Sequence, residues 1–207
     1  PNPPPPLRTP KSSSSATSYS STSYEDELNF KVNENITDKE ISAMSSTDRE
    51  KSARILHQQG LSLIEAGDFK TAEKKLRLAV KYVDYYENIL YTLSNLLYDQ
   101  KKYAESIVFL KKSLVVDSAN ENAQLLIGAN YMQLKKYDEA EEIFLSVSGR
   151  NSNSYEANFN LGLIYKNTGK LEMASSHFER AVEIKPNDVE ANFEYGVALY
   201  KTGVKSR

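Results

Sequence analysis

Gly60, Gly128, Gly162 and Gly196 recur on a step of 34 residues, with Ser94 standing where the series skips a glycine. Gly67, Gly169 and Gly203 keep the same step seven residues further on. Seven of the chain's eight glycines lie in these two columns, so the spacing belongs to the architecture and not to chance. Such a period means copies of one supersecondary unit, each too small to bury its apolar face alone and stabilised by stacking on its neighbours.

The clearest copy runs from Tyr155 to Asp188. Leu161, Gly162 and Tyr165 stand at L-G-x-x-Y spacing, followed by Gly169, Ala174, Phe178, Ala181 and Pro186. This series of small and large residues resembles the tetratricopeptide repeat. The resemblance implies an all-α, right-handed superhelical solenoid of antiparallel helix pairs, with four full repeats at 53–86, 87–120, 121–154 and 155–188. Residues 189–207 then hold the first helix of a fifth repeat or a capping helix. Small residues mark the close approach of the two helices in the columns Gly60, Ser94, Gly128, Gly162 and Ala72, Ser106, Ala140, Ala174. Leu76, Leu110, Phe144 and Phe178 are expected to fill the space beside them as core.

Ahead of the array the composition changes. Six of the seven prolines lie in the first ten residues, and serine or threonine fills eleven of the sixteen positions from Thr9 to Tyr24. Such a stretch cannot build a core, so residues 1–36 read as a disordered Pro/Ser-rich and then acidic tail. A solvated tail, a proline-directed phosphorylation or docking segment around Thr9-Pro10, and a plastid-type targeting remnant all suit this composition. Residues 37–52 read as a short capping helix and lead-in. Thr37-Asp38-Lys39-Glu40 has capping-box spacing, and Thr47-Asp48-Arg49-Glu50 repeats it, starting the first repeat helix near Asp48. Asp68 is a candidate N-cap, the Lys101-Lys102 and Lys135-Lys136 turns replace glycine-containing ones, and Gly149 is expected to end its helix early in a left-handed cap.

The chain offers little to catalysis. His57 and His177 lie in no metal-ligand or nucleophile-base pattern, and every glycine but one is explained by the repeat, so no phosphate loop remains. The chain reads as non-enzymatic, with no cofactor. A net charge of −2 without a basic stripe argues against nucleic acid, and no apolar run reaches the roughly 18–20 residues of a membrane span. With no cysteine there are no disulfides or thiolate metal sites. The cytoplasm is the expected location, a plastid-type organelle the alternative.

What the resemblance implies about function is a concave groove lined by the first helices of successive repeats. The expected partner-binding residues are Asn88, Tyr91, Asn95, Tyr98, Asn122, Leu125, Met132, Phe159, Asn160, Leu163 and Phe193, an apolar strip edged with amides. The family's dicarboxylate clamp for acidic chaperone tails maps onto His57, Leu61, Thr92, Asn122 and Leu126, which lack its basic groups, so chaperone tails are disfavoured. The expected function is a protein-binding scaffold or adaptor within a larger assembly. The alternatives are the repeat arm of a longer enzyme, such as a glycosyltransferase-like protein, or a structural subunit using its convex face and ends.

Overall fold

The structure, a computed structural model, describes residues 31–203. The expectations for the proline- and serine-rich tail fall outside these residues. All ordered elements among the described residues are helices: α1 (Asp38–Ala43), α2 (Ser46–Glu65), α3 (Phe69–Tyr82), α4 (Glu87–Asp99), α5 (Tyr103–Val116), α6 (Glu121–Gln133), α7 (Tyr137–Arg150), α8 (Tyr155–Asn167), α9 (Leu171–Ile184) and α10 (Val189–Thr202). The fold class is an all-α solenoid of antiparallel helix pairs, α2/α3, α4/α5, α6/α7 and α8/α9, with α10 as an additional helix. The chain divides into two compact units, which break between Ala119 and Asn120.

The first unit contains α1 to α5. Thr37 and Glu40 form the expected reciprocal capping box: the Thr37 hydroxyl accepts from the Glu40 amide, and the Glu40 carboxylate accepts from the Thr37 amide at 2.7 Å. Ile36 and Ile41 on either side of this cap are buried in the same cluster as Leu56, Leu76, Leu90 and Leu97. Polar bonds hold the lead-in to α3, among them one from the Tyr82 hydroxyl to the Asn33 carbonyl and one from the Lys81 ammonium to the Ile36 carbonyl, each 2.7 Å, and an ion pair between Lys75 and Glu34. The first repeat helix starts at Ser46, two residues before the expected Asp48. Its cap is Ser45, whose hydroxyl accepts from the Asp48 amide and donates to the Asp48 carboxylate, so Ser45 and Asp48 outcompete the pair at Thr47 and Glu50. Asp68 caps α3 as expected, accepting from the Thr71 amide at 3.1 Å.

The second unit contains α6 to α10, around Ala140, Phe144, Tyr165, Ala174 and Phe178. One expectation fails here. Gly149 does not end α7, because the helix continues to Arg150 and Gly149 keeps an ordinary negative φ. The chain turns instead at Asn151, whose amide closes back on the Val147 carbonyl.

Both glycine columns have a physical basis in the coordinates. A Cβ added to Gly60 would lie 2.8 Å from Leu76, one on Gly128 would lie 2.6 Å from the Phe144 ring, and one on Gly162 would lie 2.5 Å from the Phe178 ring. In the second pair the crossing is polar: the buried Ser106 hydroxyl donates to the Ser94 carbonyl at 2.9 Å, and the Ser94 hydroxyl donates to the Leu90 carbonyl. The other column is conformational. Gly67, Gly169 and Gly203 have φ of 80°, 79° and 75°, and Lys101 and Lys135 occupy the same left-handed turn position at 62° and 58°.

Candidate functional site

In the first unit, Asn88, Tyr91, Asn95 and Tyr98 share one face of α4, spaced at three and four residues so that their side chains line up along the helix. The opposite face carries Leu90, Leu93, Leu97 and Ser94, all buried. Asn88 is exposed, while Tyr91, Asn95 and Tyr98 are half-buried. The Tyr98 ring rests edge-on against Tyr103 with centroids 5.4 Å apart. Partial burial raises the Tyr91 phenol above its usual range, so it stays a neutral donor at physiological pH. The Asn95 amide nitrogen donates to the Tyr91 carbonyl one turn back at 3.2 Å.

Beside this face α2 presents His57, whose Nε2 lies 3.0 Å from the Thr92 hydroxyl oxygen. The Thr92 hydroxyl proton is already given to the Asn88 carbonyl at 2.8 Å. Nε2 is therefore the donor, which fixes the tautomer. Burial pushes the His57 pKa down, so the ring is neutral.

The second unit treats its expected lining differently. Asn122 is exposed on α6, but Leu125, Met132, Phe159, Asn160 and Leu163 are only 4–7% exposed. Leu125, Met132, Phe159 and Leu163 belong to the unit's packed cluster. Phe159 stacks on Tyr155 at 5.6 Å and meets Phe178 edge-on at 5.7 Å, which draws it down onto the second helix of its own pair. The Asn160 amide nitrogen bonds the Glu156 carbonyl at 2.7 Å. Phe193, on α10, is 66% exposed. The structure thus gathers four of the eleven residues on the α4 face, packs five inside the second unit, and leaves Asn122 and Phe193 on its surface.

Sequence reasoning did not find the polar cluster around Tyr165. Its hydroxyl donates to the Glu141 carboxylate at 2.8 Å, and burial, reinforced by that carboxylate, pushes its pKa up to about 12. His177 lies against the same ring, centroids 5.4 Å apart, and its Nδ1 donates to the Asn158 side-chain oxygen at 3.3 Å. Asn158 is oriented by its own nitrogen, which donates to the Ser154 carbonyl. Only the tyrosine of this cluster lies in a repeat column, so the period gave no signal for the rest. Among the described residues no group of three or more His, Cys, Asp or Glu could hold a metal ion, and no helix is long and apolar enough to cross a membrane.

Antiparallel pairs that cross with a small residue under a large one define the class, a helical-repeat array that presents side chains from its first helices. The family model described as tetratricopeptide repeat matches residues 122–153 and 155–188, so α6 to α9 are tetratricopeptide repeats. It is similar to anaphase-promoting complex subunit 3 of Schizosaccharomyces pombe, 28% identical over 94 residues, which are 45% of this chain and 14% of that protein. A similar match, 29% identical over 87 residues, is to protein bimA of Emericella nidulans, covering 42% of this chain and 11% of that protein. The chain therefore spans a small part of the length of both curated relatives. Among solved structures, the MamA protein superposes with a TM-score of 0.69 at 23% identity, covering 74% of this chain and 84% of that one, a likeness of fold alone.

Proposed function

We propose that the chain is a non-catalytic protein-binding module, and that the α4 face carrying Asn88, Tyr91, Asn95 and Tyr98 takes part in holding a partner segment. The observation that carries this reading is the alignment on one helix face of two half-buried phenol rings with one exposed and one half-buried asparagine. Tyrosine offers large contact area with few rotors to freeze, and the amide oxygen accepts from a peptide N–H. The neutral His57, which donates to Thr92, supplies no cation here, so the face suits an apolar or neutral segment better than an acidic tail. In the second unit, taken by itself, Asn122 and Phe193 are the exposed candidate residues. Leu125, Met132, Phe159, Asn160 and Leu163 are buried in that unit and fix the helices that carry them.

The similarity to a subunit of the anaphase-promoting complex favours the further reading that this module works inside a multiprotein assembly. The test is selection of a displayed random-peptide library on the 207-residue chain, with a Tyr91→Ala/Asn95→Ala/Tyr98→Ala variant as counter-target. Peptides that bind the chain and lose at least ten-fold in affinity for the variant support the α4 face. Peptides that bind both equally remove it from the reading.

A further inference from the structure

Helix α2 ends on Glu65 and helix α4 on Asp99, one 34-residue step apart. The two helices lie side by side in the first unit, joined by the bond between His57 and Thr92. A carboxylate in the last turn of a helix opposes the helix dipole, whose negative end lies there. Neither last turn holds a basic residue to offset it. No hydrogen bond or ion pair joins either carboxylate to another group among the described residues, and Lys102, just before α5, is taken by Glu73 at 2.7 Å. The surrounding protein raises the Asp99 carboxyl above its usual value, and no neighbouring cation counters this. The repeat itself does not call for acid at this place, since α6 ends there on Gln133 and α8 on Asn167. Asp99 follows Asn95 by four residues and so continues the Tyr91, Asn95 and Tyr98 face to the end of its helix. Two exposed carboxylates that the fold does not use therefore stand at one end of that face.

We propose that Glu65 and Asp99 receive a basic side chain of the partner segment, so that the ligand of the α4 face is an apolar stretch followed by a lysine or arginine. The inference rests on the α4 face as a binding surface and adds the chemistry of what it holds. Charge complementarity carries it. A cation placed there meets two carboxylates and the negative ends of two helix dipoles, all of which favour positive charge. An acidic segment would be repelled by the same groups. Geometry sets the place of the cation in the ligand. Asn95 and Asp99 are four residues apart, ~6 Å along the helix axis, a distance that an extended segment crosses in about two residues. A segment running along α4 with an apolar side chain between Tyr91 and Tyr98 therefore carries its basic residue about two positions further on.

The test extends the selection of a displayed random-peptide library on the 207-residue chain, adding a Glu65→Gln/Asp99→Asn variant as a second counter-target beside Tyr91→Ala/Asn95→Ala/Tyr98→Ala. The expected result is enrichment of peptides with lysine or arginine about two positions from an apolar residue, which lose about ten-fold in affinity for the neutralised variant. Replacing that basic residue by glutamine in the peptide should cost the same on the wild-type chain and nothing further on the variant. Because the carboxylates oppose their helix dipoles, the variant is expected to melt at or above the wild-type midpoint. A lower midpoint would give them a role in the fold and overturn the proposal. Peptides that need Tyr91, Asn95 and Tyr98 but show no basic preference and bind the neutralised variant equally also overturn it, while leaving the α4 face in place. Peptides indifferent to both variants remove the α4 face and this inference with it. The chain's own tail is the other occupant, since Arg8 and Lys11 are its only charged side chains before Glu25. Basic peptides that bind an Arg8→Gln/Lys11→Gln variant and not the wild-type chain would seat the tail on the carboxylates and overturn the separate partner.

Discussion

Gly162 and Phe178 are in such close contact that a methyl group on Gly162 would lie 2.5 Å from the phenylalanine ring, which is itself fully buried. Gly196 holds the same place in the repeat and faces open space. Alanine is a better helix residue than glycine by about 1 kcal/mol, so two identical substitutions in one column are expected to have opposite signs. Gly162→Ala should destabilise by ~1–3 kcal/mol through overpacking. Gly196→Ala should stabilise by ~0.5–1 kcal/mol. Urea unfolding followed by circular dichroism on dilute protein measures both, and equal signs would show that the ring over Gly162 does not govern that column.

Lys101 and Lys135 adopt the left-handed conformation that glycine provides at Gly67 and Gly169. A side chain there brings Cβ against the following carbonyl, at roughly 1–2 kcal/mol, part of which is offset by the smaller chain entropy a lysine loses on folding. Lys101→Gly and Lys135→Gly are each expected to raise stability by ~0.5–1 kcal/mol. Gly169→Ala, with nothing within 4 Å to clash, should nonetheless lower it by about 1 kcal/mol. Thermal midpoints of the three variants decide between backbone strain and local contacts as the reason for this column.

His57 and His177 are both half-buried, and this burial holds both pKa values below the ordinary imidazole value; Glu141 opposes the shift at His177 without reversing it. The unfolded chain therefore takes up protons before the folded one as pH falls. This stabilisation is complete above about pH 6.5, the unfolded imidazole value, and is lost as pH drops from there through the folded-state values. The thermal midpoint should fall on acidification from about pH 7 to pH 5, and a His57→Gln/His177→Gln variant should show a flatter slope across that window. Glu40 and Asp68, lowered by the hydroxyl groups of Thr37 and Thr71, lose their contribution only below about pH 4.5, outside it. An unchanged slope in the variant would assign the acid sensitivity to other groups.

The period made the helix pairs legible because sterics at the crossings admit few residue types. Gly162 must be small where Phe178 lies, and the 34-residue register records that constraint directly. The same logic failed at Gly149, the one glycine outside both columns, because a glycine in a helix signals a cap only when the backbone turns left-handed there. Lys101 and Lys135 show the converse, since the left-handed turn was present and the usual residue was not. The candidate site was less legible. Facing positions on the first helices can be counted from the sequence, but whether a large side chain points outward depends on its neighbours. Phe159 has Tyr155 and Phe178 to pack against and is buried, whereas Phe193, one period later, is exposed.

That difference separates the surface from its support in a way mutation can read. Tyr91 and Asn95 are half-buried on a face whose other side holds the core, so Tyr91→Ala with Asn95→Ala should leave the far-ultraviolet circular dichroism intact and cost no more than ~1–2 kcal/mol. Leu125→Glu or Phe159→Glu, by contrast, forces a carboxylate into the packed cluster of the second unit, and burying an unpaired charge there should cost more than ~4 kcal/mol. Such a variant would lose any ligand by unfolding the helices that present it. Urea unfolding of the four single variants checks this order, with the α4 pair expected close to wild type and the two glutamates far below. If Phe159→Glu were as stable as Tyr91→Ala, Phe159 would have to be solvent-facing in solution, and it would join Asn122 and Phe193 among the exposed candidate residues of its own unit.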